Sequence, residues 1–90
     1  MSIEEILERV IHICKYHKIQ EVILFGSWAK GTANERSDID IAVRGVKDIE
    51  ELREDVEEIP TLRSFDIVEI EKCKNELLLR EIEQYGRKIL

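Results

Sequence analysis

In 90 residues the chain has one proline, four glycines, two cysteines and 6% aromatic side chains. The two cysteines, Cys14 and Cys73, stand far apart and belong to no Cys-x-x-Cys or Cys/His cluster. They offer no zinc site and point to free thiols rather than a disulfide framework. No run of 18 apolar residues occurs, so there is no candidate transmembrane helix, and no basic start leads into an apolar stretch of the signal-peptide kind. The expectation is a cytoplasmic protein with no membrane partner. Basic residues are also outnumbered, 14 Lys and Arg against 20 Asp and Glu, for a net charge of −6. That speaks against a domain gripping an extended nucleic acid through many phosphates. A small nucleotide remains compatible, because a divalent cation can supply positive charge locally. Asn and Gln are few beside Glu, Lys and Arg, a composition that leans towards a thermophilic source. The length sets the expectation of one domain over residues 1–90, with a single modest core.

What is present falls into short periodic segments. From Ile3 to His17 the apolar residues at 3, 6, 7, 10, 11, 13 and 14 form one helical stripe, and Ser2 with Glu5 makes a capping-box pattern at its start. His17 falls on the apolar side and His12 on the opposite side, and both read as packing or surface residues rather than ligands. "EVILF" (21–25) reads as a buried strand ending at Gly26, and "DIDIAV" (38–43) as a second strand. Between them, one or two helical turns from Ser27 would end near Gly31. Asp48–Ile59 carries Ile49, Leu52, Val56 and Ile59 at helical spacing and is stopped by Pro60. "FDIVEI" (65–70) is a third strand. A last helix runs to about Tyr85, with Gly86 as its stop and a short extended tail. The predicted fold class is α/β (α+β): a small mixed sheet of three to four strands with helices packed mainly on one face.

The chemistry gathers in "FGSWAKGTANERSDIDIAV", residues 25–43. Asp38 and Asp40 are two apart on a strand, so they point the same way with Cα atoms roughly 6.5–7 Å apart. Two carboxylates aimed into one space repel each other and resist burial. No Arg or Lys shares that face of the strand. A divalent cation would resolve the conflict, and hard oxygen ligands in this pattern suit Mg²⁺. The competing reading is an edge strand with one wet face, where alternating Asp is merely solvated. Upstream, Gly26 follows a strand and opens a short helix, which presents backbone N–H groups to an anion. Ser27 can add a hydroxyl donor. Phosphate loop and paired carboxylates together make both halves of a Mg²⁺–nucleotide site.

Gly26-Ser27, ten residues, then Asp38-x-Asp40, with Ala29, Gly31 and Ser37 in between, resembles the GSx10DxD signature of minimal nucleotidyltransferases of the DNA polymerase β superfamily. The resemblance covers nearly the whole chain, and the element order agrees with that family's fold. It implies a third carboxylate on a later strand, for which Asp66 is the matching position and Glu69 the alternative. It further implies a Mg²⁺-dependent transfer of a nucleoside monophosphate, with ATP as substrate, two ions held by Asp38, Asp40 and Asp66, and pyrophosphate leaving. Gly26, Ser27, Lys30 and Ser37 are the implied nucleotide contacts, and Arg36 is a further phosphate candidate. Trp28 stands where many relatives carry Arg or Tyr, placed either to stack on a base or to pack beside the turn.

Stand-alone domains of this kind resemble the MntA-type antitoxins, whose partner is a HEPN-domain toxin. The implied activity is AMP transfer to a tyrosine of that toxin. The alternative is an inactive module of the same fold that neutralises the toxin by contact alone. A third reading, a small-molecule nucleotidyltransferase such as an aminoglycoside-modifying enzyme, lacks an acceptor domain. The last helix, with Leu77, Leu78, Leu79, Ile82 and Tyr85 around more than half its circumference, offers a surface for a homo- or hetero-oligomer. The acidic helix Asp48–Glu58 is either a solvated face or a surface for a basic partner.

Overall fold

The first helix, α1 (Ile3–Tyr16), starts where its capping box places it: Ser2 Oγ accepts from the Glu5 N–H, and Glu5 returns the bond to the Ser2 N–H. The computed structural model describes residues Met1–Leu90. It continues through β1 (Glu21–Phe25), the single-turn α2 (Ser27–Lys30), β2 (Ile39–Arg44), α3 (Ile49–Glu57), β3 (Phe65–Glu69), α4 (Glu76–Tyr85) and β4 (Arg87–Lys88), with a 3-10 turn at Ile70–Lys72. Asp48 caps α3 through the Glu51 N–H, and Asn75 caps α4 through the Leu78 N–H.

The four strands form one sheet in the order β3-β2-β1-β4. Strand β1 runs antiparallel to β2 and to β4, whereas β2 and β3 are parallel, as a crossover through α3 requires. Strand β2 is therefore interior, and the edge-strand reading of its alternating aspartates is excluded. The strand tail after α4 is paired rather than loose: Val22 exchanges backbone hydrogen bonds with Ile89 and Leu90.

The period-2 pattern of the strands sorts two faces. Val22, Leu24, Ile39, Ile41, Val43 and Ile67 meet Ile6, Val10 and Cys14 of α1 and Leu52 and Val56 of α3 in the main core. On the opposite face α4 crosses the sheet, with Ile82 against Phe25 and Ala42 and with Leu78, Ile23, Val68 and Ile70 around them. Full burial of one such aliphatic side chain is worth about 1.5–3 kcal/mol, which anchors α4 with only Ile82 fully covered. Cys14 is buried and Cys73 partly so, and both are free thiols. Burial pushes the Cys14 thiol up to about 11.

Gly86 ends α4 for a reason other than handedness. Its backbone is extended (φ −64°, ψ 148°). A Cβ there would sit 2.2 Å from the Ile82 carbonyl oxygen and 2.5 Å from Ile23 Cγ2, so the position is filled by close approach of helix and sheet. His17, at the C-cap of α1, is neither a bare surface residue nor simple packing: its Nε2 lies 2.6 Å from Asp55 Oδ2 and ties α1 to α3.

Candidate functional site

Register places the aspartates. In the β2–β3 ladder Asp40 stands opposite Asp66, and in the β1–β2 ladder it stands opposite Phe25. Partners across a ladder share a face, so Asp40 and Asp66 point to the same side of the sheet. Asp38, two residues before Asp40, precedes the strand on that side. Glu69 is opposite Val43, a buried residue of the main core. It therefore faces away from the other carboxylates, whereas Asp66 shares the face of Asp40. Asp38 and Asp66 are exposed and Asp40 half-buried.

Gly26 seals the row. Its φ of +71° belongs to glycine, and a Cβ built on it would lie 2.1 Å from Asp40 Oδ2. The turn thus brings backbone and carboxylate together without a side chain between them. Gly26 O accepts from the Ala29 and Lys30 N–H groups, which closes the single turn of α2. Gly31 caps it in the left-handed region at φ +79°.

The connection from Gly31 to Asp38 is held by its own polar groups. Ser37 Oγ accepts from the Asn34 N–H at 2.9 Å, and Asn34 Oδ1 accepts from the Arg36 N–H at 2.8 Å. Ser37, an implied nucleotide contact, thus accepts a hydrogen bond within the turn that presents Asp38, and its O–H stays available as a donor. Arg36 is exposed. Trp28 packs beside the turn: its indole N–H donates to the Ser37 carbonyl at 3.4 Å. Its ring carries the Arg63 guanidinium 4.9 Å from the centroid. Arg63 in turn donates to the Glu35 carbonyl at 3.0 Å. Trp28 and Arg63 form a clamp on the spacer loop, and Arg63 was invisible to sequence reasoning because it lies far downstream.

The electrostatics follow from this crowding. The Asp40 carboxyl is pushed up from 3.8 to about 6, first by burial and then by the negative charges of Asp66, Asp38 and Glu81. Glu81 is the other residue the sequence did not reveal. It comes from α4 and pairs with Lys30, whose own pKa is raised chiefly by that hydrogen bond. The Lys30 ammonium also lies 5.1 Å from the Tyr85 ring centroid. Lys30, expected to meet phosphate, is thus engaged by α4.

Two other features fit a ligand less well. A groove of about 690 Å³ is lined by Glu5, Glu8, Arg9, His12, Asp55 and Glu58 between α1 and α3. That is the opposite side of the sheet from the aspartates, and its lining is two helix surfaces carrying four acidic side chains. The set of His, Cys and acidic side chains whose ligand atoms all lie within 4.8 Å of one another is His17, Glu51 and Asp55, on that same side. Its His–Asp contact already has a structural use. The aspartate trio is more open, as three mutually repelling carboxylates are. Its members share one face, add their negative charge to the burial that lifts Asp40, and set Asp40 against a glycine turn, which suits hard-cation and phosphate binding. No helix is long and apolar enough to cross a membrane.

Comparison with known proteins gives a consistent picture. The family model described as polymerase beta, nucleotidyltransferase, matches residues 8–90. No curated protein matches the chain. Among solved structures, a toxin–antitoxin with AMP-PNP superposes with a TM-score of 0.77 at 26% identity, over 92% of this chain and 71% of that one. A mutant form of the toxin–antitoxin MntA–HpeT aligns with a TM-score of 0.74 at 25% identity, over 93% of this chain and 71% of that one. A second mutant form, at 23% identity and a TM-score of 0.75, covers 92% of this chain and 71% of its own and shares the fold.

Proposed function

The chain belongs to the polymerase beta nucleotidyltransferase family, and on that premise we propose that it transfers AMP from ATP to a tyrosine hydroxyl of a HEPN-domain toxin, acting as the antitoxin of the pair. One observation carries the reading: Asp40 and Asp66 stand opposite each other in the ladder, with Asp38 on their side and Gly26 against Asp40. The neighbours crystallised as toxin–antitoxins, one of them with AMP-PNP, support a nucleotide substrate and a toxin partner.

Asp38, Asp40 and Asp66 would hold Mg²⁺, two ions in this reading, and their shared face and uncompensated charge fit such ions. Bound there, the metal supplies charge neutralisation for the triphosphate and activation of the attacking oxygen. The chain's own residues do the rest. The Gly26–Ser27 turn lets phosphate oxygens approach the backbone without a Cβ in the way. Lys30, on the same short helix, adds a positive charge. Asp66, exposed at the sheet's mouth, receives the proton of the incoming hydroxyl. The tyrosine oxygen bonds to the α-phosphorus, and the bond to pyrophosphate breaks. Positioning and electrostatics supply most of such catalysis. The open face admits a protein acceptor, and Leu77 and Tyr85, exposed on α4, provide apolar contact for a partner.

The second reading, neutralisation by binding alone, is favoured by those same exposed residues and by the engagement of Lys30 with Glu81. Mass spectrometry of a HEPN protein encoded beside this chain, incubated with it, ATP and Mg²⁺, separates the two. AMP adducts that vanish with Asp38→Asn or Asp40→Asn support the enzyme. A stable complex without adducts supports the binder.

A further inference from the structure

The contact between α2 and α4 has no place in that scheme as it stands. Lys30 is the last residue of the helix that begins at the phosphate turn, and it meets two side chains one turn apart on α4, Glu81 and Tyr85. Residues four apart lie on one helix stripe, so α4 presents an anion and an aromatic face to a single ammonium. Ile82, next to Glu81, is the buried anchor of α4 on Phe25 and Ala42, which fixes the stripe over the sheet face that carries the aspartates. Glu81 is also near enough to Asp40 to act on it as a like charge. Its carboxylate therefore stands between the acidic row and the Lys30 ammonium.

We propose that Glu81 is a positioning residue for Lys30: it holds the ammonium against α4 in the nucleotide-free protein and competes with the incoming triphosphate for it. The inference rests on the nucleotide-site reading above. A lysine ammonium has three donors on a flexible stem. It can swing from Glu81 to a phosphate oxygen, but full engagement of both would draw a fourth carboxylate towards the phosphates. Part of the nucleotide's binding free energy then goes into breaking the Lys30–Glu81 pair. Both partners are about one-third exposed, at 36% and 32%, so the pair is of moderate strength and the competition is mild.

The test is a double-mutant cycle read by calorimetric binding of Mg-ATP. Glu81→Gln keeps the shape and removes the charge, and is expected to tighten binding by about two- to fivefold. In steady-state transfer assays it lowers KM for ATP by a similar factor with kcat held within about twofold. In a Lys30→Met background the same substitution is expected to change binding hardly at all, because the competed-for charge is gone. A gain that persists undiminished in Lys30→Met would mean simple removal of a negative charge near the site and would overturn the proposal. Equal binding by wild type and Glu81→Gln overturns it too, while leaving the nucleotide site standing. Absence of Mg-ATP binding by every variant would overturn both.

Discussion

Asn in place of Asp40 is expected to stabilise the metal-free protein at neutral pH while removing its activity. The sign follows from linkage. The folded state raises the Asp40 carboxyl from 3.8 to about 6, so the folded protein binds this proton more tightly than the unfolded chain does. Its contribution is fully present below the unfolded value and is lost as pH rises through about 6. Above that, the ionised group opposes folding. At about 1.36 kcal/mol per pH unit the shift corresponds to about 3 kcal/mol; the group is only half-buried, and solvent screening reduces this to about 1–2 kcal/mol. Urea unfolding in EDTA should therefore show Asp40→Asn more stable than wild type by about 1–2 kcal/mol at pH 8. The gap should shrink to near zero at pH 4. In a domain this small each kcal/mol moves Tm by about 4–8 °C. Added Mg²⁺ should narrow the gap at pH 8 by stabilising wild type alone. A variant less stable than wild type at pH 8, or a gap that ignores pH, would refute the reasoning that the aspartate row is an uncompensated cluster.

Gly26→Ala places a Cβ 2.1 Å from Asp40 Oδ2 at a φ of +71°; it should cost at least about 1–3 kcal/mol in urea unfolding and abolish transfer, since turn and carboxylate cannot both keep their places. Asp66→Asn should lower kcat for AMP transfer by more than about 100-fold, whereas Glu69→Gln, on the other face, should leave it within about threefold; equal losses would mean the register assignment is wrong. In thiol titration of the native protein only Cys73 should react promptly. Cys14, buried and raised to about 11, should react only after denaturant is added.

Much of the site was legible because its signals are local. A capping box acts over three residues, and Ser2 and Glu5 make both bonds it promises. Alternation acts over two, and it put Asp38 and Asp40 on one side before any strand was paired. What needed the third dimension was the choice between Asp66 and Glu69. Period-2 spacing puts these two on opposite faces, but only the ladder says which face Asp40 shares. The same holds for Lys30. The family resemblance makes it an implied phosphate contact, and nothing near it in sequence announces Glu81, 51 positions away.

The sequence by itself determined the order of elements, the glycine turn, the paired aspartates and the family, since backbone propensity, side-chain period and motif spacing are properties of neighbours along the chain. Tertiary structure alone decided that β2 is interior, that α4 crosses the aspartate face, that Trp28 and Arg63 clamp the spacer loop, and that Gly86 is required for space rather than for handedness. Each of these depends on which distant surfaces meet. That is set by the packing of the whole core, in which a residue's partners are fixed by volume and register and not by its position in the chain.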